Sequence, residues 1–284
     1  MIRRMGSSLV LDIYTALFLI IIFAPMVMMV IASFNETSPP NVMEWSGTTL
    51  KWYRYFWMSD AELAADPVLR AFDRNTFVGC AANSLIVAAG VVPLSLILGL
   101  AGAVVLTKLR SRFDGFLSWV LLSPMLMPGI TLGLSTMIYW SMVGVMPGLF
   151  TATMAMTSFV ATVPMLIIMG RLQRQDPSLE EAALDLGASP TYTFWRVTLP
   201  FLAPALGVSA VLAFLWTVEN YNTTKFSIGT GCTLSTHIGD MVRNPVGHPP
   251  LINVVGTVVI LLTVAGAILH TFLSRREAKM GSKS

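Results

Sequence analysis

Charge is scarce in this chain. Asp, Glu, Lys and Arg make up 12% of its 284 residues, about half the share carried by a soluble domain of that length. With 55% hydrophobic residues and a mean hydropathy of +0.71, a water-soluble globule is excluded. The basic excess is slight, and no basic stripe is interleaved with aromatics, which sets nucleic-acid binding aside. No Gly-Lys pair occurs, so there is no phosphate-cradling loop, and neither a His-Glu-x-x-His nor a Gly-x-Ser-x-Gly motif is present. The three histidines, His237, His248 and His270, are scattered. No catalytic residue, metal site or resident cofactor is therefore expected. Cysteine is nearly absent too. Cys80 and Cys232 lack metal spacing, which leaves two readings: a disulfide, or two unrelated small apolar fillers. The second is preferred.

What is abundant is apolar sequence in long runs. Six segments reach the roughly 20 mainly apolar residues needed to cross a bilayer: 9–34, 78–106, 116–143, 149–170, 201–223 and 251–273. The chain is thus expected to be an all-α integral membrane protein, a single transmembrane domain over 1–284. The first run follows Arg3-Arg4 but is too long for a signal-peptide core and lacks a small-residue cleavage site, so it is read as an uncleaved span. Several prolines, among them Pro25, Pro93, Pro124, Pro128, Pro164 and Pro204, fall inside or at the ends of these runs, where membrane bundles tolerate kinks. With the N-terminus inside, only Lys51, Arg54, Arg70, Arg74, Lys225 and Arg243 of the 18 basic residues lie outside, four of them in one long loop. The excess of positive charge inside places both termini in the cytoplasm.

One polar island breaks the pattern between the fourth and fifth runs. Asp176-Pro177 reads as an N-cap followed by proline at the first helical position. Glu180 and Glu181 sit where the helix dipole favours negative charge, and Gly187 suits a left-handed C-cap. Ser189-Pro190 repeats the start, predicting a second short helix to about Thr198, before Leu199-Pro200. The pattern Glu181-Ala182-Ala183, three residues, Gly187, and Leu199-Pro200 further on resembles the EAA loop in permease subunits of bacterial ABC importers. The resemblance covers most of the chain and is strongest over 171–200.

That resemblance implies the type I importer permease fold, with six membrane helices and a cytoplasmic EAA coupling helix in the bacterial inner membrane. It implies that Glu180, Glu181, Ala182, Ala183, Asp185, Gly187, Ala188, Ser189 and Pro190 carry ATPase coupling. It also implies the partners: an ATP-binding cassette ATPase dimer, which binds the ATP and Mg, a second homologous permease forming a heterodimer, a periplasmic solute-binding protein, and membrane lipid.

A second resemblance narrows the subgroup. Ser33-Phe34-Asn35-Glu36, then Trp45-Ser46-Gly47-Thr48-Thr49 and Trp52-Tyr53, are similar to the first outer loop of polyamine (spermidine/putrescine) permeases. The aromatics of this loop form either a belt at the membrane surface or a small outer scaffold that meets the binding protein. Glu219, in the outer half of the fifth run, is the one intramembrane carboxylate with a claim to function, since burying it costs several kcal/mol unless it is paired or hydrated. A carboxylate beside Trp216 and Tyr221 suits an ammonium cargo by charge and π-face. Asn220 and Asn222 continue that stretch; Tyr139, Trp140 and Asn83 are further candidates for the pathway. For Tyr139 and Trp140 anchoring at the interface, and for Asn83 interhelical hydrogen bonding, is the plainer role; for Glu219 the alternative is a place at the outer interface, solvated or bridged to Arg243 or Lys225. The expected function is a polyamine or small organic cation permease subunit working by alternating access. The rivals are a permease for another small solute, such as an amino-acid derivative or a sugar, and a stand-alone channel or secondary carrier.

Overall fold

The computed structural model describes residues 2–36, 45–67, 69–108, 113–243, 250–261 and 264. It falls into two compact units, Met1–Arg74 with Asp240–Ser284, and Asn75–Gly239.

The first unit begins with α1 (Ile2–Ala32). From Val10 to Met28 every side chain of α1 is exposed. A helix apolar on all sides is stable only in lipid or a protein interior. After α1 the chain folds back on itself, with Thr49 N–H donating to the Phe34 carbonyl at 2.8 Å and Glu36 N–H to that of Gly47 at 3.0 Å. The short helices α2 (Lys51–Arg54) and α3 (Asp60–Ala65) follow, the latter opened by a Ser59–Glu62 capping box. The motif residues of this loop contact one another. Trp52 Nε1 donates to the Asn35 carbonyl at 3.0 Å, Ser33 and Tyr53 hydroxyls share a 2.6 Å hydrogen bond, and the Phe34 and Tyr53 rings lie 5.1 Å apart. Trp52 and Tyr55 are fully buried in a cluster with Leu69, Leu251 and Val254. These two belong to a folded scaffold and not to a surface belt; Trp45 and Trp57 remain exposed.

The second unit is built on α4 (Arg74–Lys108), whose buried residues Phe77, Cys80, Ser84, Val87, Val91, Ser95, Gly99 and Gly102 recur every three or four positions. That stripe of mostly small side chains lets neighbours approach closely, as membrane helix pairs require. Val87 and Val91 pack with Met156, Val160 and Ala213, and Ala103 packs with Met165, Ile168, Leu172 and Leu202. These partners come from α7 (Leu149–Val160), α8 (Thr162–Leu172) and α11 (Leu199–Glu219).

Two expected spans take a different form. The third is not one rod: α5 (Asp114–Leu126) and α6 (Gly129–Met142) meet at a 102° bend across Met127-Pro128. Pro128 removes an amide donor and biases the residue before it away from helix, so the break falls there. The fifth ends at Glu219, four residues early. Asn220 turns extended, its side chain accepts from Thr223 N–H at 2.9 Å, and α12 (Asn222–Ser227) starts anew. After α13 (Leu234–Arg243), the apolar helix α14 (Pro250–Leu261) is the described part of the sixth span. Among the described residues, four helices are long and apolar enough to cross a membrane, and the bent pair makes a fifth. His248, His270, and the basic residues Arg110, Arg112, Arg275, Arg276, Lys279 and Lys283 lie outside the described residues.

The cysteines correct the filler reading. Cys80 on α4 and Cys232, in the turn before α13, form a disulfide with Cα atoms 5.1 Å apart. The local contacts bring them together: Asn83 Nδ2 donates to the Cys232 carbonyl at 3.0 Å, and Leu234 N–H donates to Ser84 Oγ at 2.8 Å.

Candidate functional site

The EAA-like island folds as its local signals direct. In α9 (Pro177–Asp185) Asp176 caps the helix, accepting from Ser178 N–H at 3.0 Å. That hydrogen bond holds the exposed Asp176 carboxyl below its ordinary range. At the other end Gly187 adopts φ +86°, with its N–H on the Leu184 carbonyl and Ala188 N–H on that of Ala183. These two bonds make a Schellman motif, which a side chain at position 187 would strain. Ser189 then caps α10 (Pro190–Thr193), accepting from Tyr192 N–H at 3.3 Å.

The second helix does not stop before Leu199-Pro200. A π-helical turn, Phe194–Thr198, carries it straight into α11. Proline lacks an amide donor, and its ring crowds the carbonyl four residues back; widening the turn ahead of Pro200 relieves both. α10 is thus continuous with the fifth span. At its base, the Arg171 guanidinium lies 4.3 Å from the Phe201 ring centre and donates to the Phe201 carbonyl.

Glu180 and Glu181 part company. Glu180 is half-buried, and its Oε1 accepts from Lys108 Nζ, from Thr198 Oγ1 at 2.6 Å and from Gln175 Nε2 at 3.1 Å. Burial opposes ionisation, but these donors and the Lys108 charge outweigh it and hold the carboxyl below its ordinary range. Glu181, Ala182, Asp185 and Pro190 are exposed. Beside them stand Leu184, Tyr192 and Trp195, together with Leu186 at 90% exposure. Ala183, Leu186, Gly187, Ala188, Ser189 and Tyr192 line an open concavity of about 630 Å³. Exposed apolar side chains around a concave surface mark a contact site.

The second candidate region lies at the break between α11 and α12. Trp216, Glu219, Asn220, Tyr221 and Asn222, with Phe159 from α7, line a pocket of about 360 Å³. Glu219 is exposed to it, and Phe159 and Trp216 stack at 5.8 Å, tilted by 30°. Phe159 carries no sequence signal beyond an apolar position. The pocket-lining loop is braced from α13: Ser235 Oγ donates to the Asn220 carbonyl at 3.2 Å, and the Tyr221 ring lies so close to Gly239 that a Cβ there would sit 2.3 Å from it. Tyr139, Trp140 and Asn83 do not line this pocket. Tyr139 and Trp140 meet edge to face at 5.3 Å, Trp140 also meets Phe150 edge to face at 5.0 Å, and Asn83 serves the Cys232 turn.

Known proteins agree with this architecture. The family model described as binding-protein-dependent transport system inner membrane component matches residues 91–279. The putrescine transport system permease protein PotI of Escherichia coli strain K12 is 31% identical over 265 residues, 90% of this chain and 88% of its own. The spermidine/putrescine transport system permease protein PotC of the same strain is 26% identical, covering 91% of both chains. Among solved structures, a bacterial ABC transporter involved in the import of the acidic polysaccharide alginate superposes with a TM-score of 0.63 at 17% identity over 96% of both chains. The MetNI methionine ABC transporter gives a TM-score of 0.57 at 19% identity over 77% of this chain and 97% of its own. With a family model matching about two thirds of its length and PotI matching nine tenths, the chain belongs to the family of binding-protein-dependent transport system inner membrane components.

Proposed function

We propose that this chain is one of two membrane-spanning subunits of an ATP-driven importer for a polyamine or a related small organic cation. The observation that carries the cargo class is the pocket at the α11–α12 break, where the Glu219 carboxylate stands beside Trp216, Phe159 and Tyr221. A carboxylate neutralises an ammonium group, and aromatic faces accept its charge and its methylene chain. The putrescine and spermidine/putrescine permeases among its relatives support the same class. The lever α9–α10, facing the cytoplasm, meets the partner ATPase through its exposed apolar face. The ATPase subunits hold ATP and Mg, and this chain supplies no hydrolytic group. The sister permease is a homologous but different chain, and a periplasmic binding protein delivers cargo from the side of the Cys80–Cys232 bond. A disulfide fits that oxidising compartment.

The test is purification of the tagged chain from its native membrane in mild detergent, with partners identified by mass spectrometry. A Walker-motif ATPase, a second permease and a binding protein are the expected partners, and the binding protein should bind putrescine or spermidine. In liposomes, Glu219→Gln should cut uptake of that cation by about tenfold or more, the scale of one lost charge contact. Recovery of the chain alone would overturn the importer reading. Undiminished uptake by an intact Glu219→Gln complex would overturn the pocket.

A further inference from the structure

Resting on the coupling role proposed for the lever, we propose that Glu180 is a positioning residue, an inward anchor that fixes α9 to the end of α4 and stands apart from the surface offered to the ATPase. Within α9 only Glu180 and Ala183 are withdrawn from solvent; every other residue of the helix is exposed. Ala183 lines the concavity and Glu180 does not, and Glu181 is turned about 100° from Glu180. One carboxylate oxygen of Glu180 gathers donors from three separate segments: the last residue of α4, the turn before α9, and the π-helical turn that leads into α11. Gln175 presents its nitrogen to Glu180, while its buried Oε1 has no partner among the described residues.

The consequence is mechanical. A force applied to the exposed apolar face reaches α11 along the continuous π-helical junction and reaches α4 through Glu180. The other end of α4 carries the disulfide to the Cys232 turn, next to the loop that lines the Glu219 pocket. Without the anchor, α9 keeps its caps and its exposed face but loses its hold on α4. Its role is to set the lever's position, so its loss lowers cargo moved per ATP hydrolysed.

The test uses the whole complex in liposomes, reading cargo transported per ATP hydrolysed. Lys108→Glu and Glu180→Lys alone should each lower this ratio by about tenfold, the scale of a lost charge-assisted contact. The swapped pair, Lys108→Glu with Glu180→Lys, should recover most of it. The new lysine then has the free Gln175 Oε1 and the Thr198 hydroxyl oxygen to donate to. Glu180→Gln, a near-isosteric change safe for folding, should lower the ratio while the ATPase still copurifies. A native ratio in both single variants, or a swapped pair no better than the worse single, overturns the anchor. Leu186→Asp separates this from failure of the coupling role itself. If Leu186→Asp uncouples and the charge variants do not, only the anchor falls; if Leu186→Asp also couples normally, the docking face falls and the anchor with it.

Discussion

The two ends of α4 are secured by different chemistry. At the Cys80 end the fastenings are a disulfide, the Asn83 amide on the Cys232 carbonyl and Ser84 Oγ accepting from Leu234 N–H. No ionised group takes part in those three contacts. At the Lys108 end the fastening is an ion pair and two further hydrogen bonds to the same carboxylate, with the Lys108 and Glu180 side chains 35% and 25% exposed. Covalent and neutral contacts ignore salt and moderate acid; a partly solvated ion pair yields to both. The first end is fixed to the turn before α13 by contacts that do not titrate. The second can be loosened and re-formed, which suits the coupling role proposed for α9 and α10.

The sharpest way to break this contrast is to open the covalent end. The Cys80→Ala/Cys232→Ala pair removes a cross-link over 152 residues, and losses of about 2–4 kcal/mol are typical of such bonds. The melting midpoint of the purified complex should fall, with the lever's ATPase contact unaffected. An unchanged midpoint would show that the neutral hydrogen bonds alone hold this end. Next in size is Gly239→Leu. Its Cβ would sit 2.3 Å from the Tyr221 ring, so the ring must move, at about 1–3 kcal/mol for an overpacked contact. Cargo uptake should fall while ATPase copurification persists; normal uptake would mean Tyr221 need not stay seated on α13. At the other end, Gly187→Val forces a β-branched residue into φ +86°, costing roughly 1–2 kcal/mol. Open space surrounds this glycine, so backbone strain is the whole effect, and Gly187→Asn should be milder. Coupling should suffer in that order. Equal loss in both variants would show that side-chain bulk against a partner, not φ, is what position 187 forbids.

How much of this was readable in the sequence follows from the range of the interactions. Asp176-Pro177, Gly187 and Ser189-Pro190 act within four residues, so the two helices of the island and the turn between them were legible from local chemistry. Glu219 stood out because a carboxylate in an apolar run is costly. Lys108 reaching Glu180, 72 positions away, and Cys80 reaching Cys232 leave no local trace, because tertiary packing alone brings them together. Local sequence therefore favours two apolar fillers over the disulfide. Pro128 and Pro200 were visible, but not their different outcomes. The first breaks the third span by 102°, and the second is absorbed by a π-helical turn. Proline dictates that a helix must adjust, and the neighbouring packing decides whether it bends or widens. The aromatic loop was ambiguous for the same reason: burial of Trp52 and Tyr55 depends on Leu251 and Val254, nearly 200 residues later.

The smallest effect gives the most selective test of the contrast between the two ends. Glu180 is held below the ordinary carboxyl value of 4.5, against its partial burial, by Lys108, Thr198 and Gln175. A lowered folded-state value means that the ionised form stabilises the fold. That contribution is fully present above 4.5 and is lost as pH falls through the lower, folded-state value. The difference in melting midpoint between the native complex and Glu180→Gln should thus be constant from pH 7 down to about 5. It should then shrink with further acid, because protonated Glu180 donates and accepts much as glutamine does. The Cys80→Ala/Cys232→Ala difference should hold constant over the whole series, since no group in those contacts titrates there. Parallel behaviour of the two variants would mean that acid acts through some other carboxylate, and the distinction between a neutral, covalent end and an ionic one would lose its thermodynamic content.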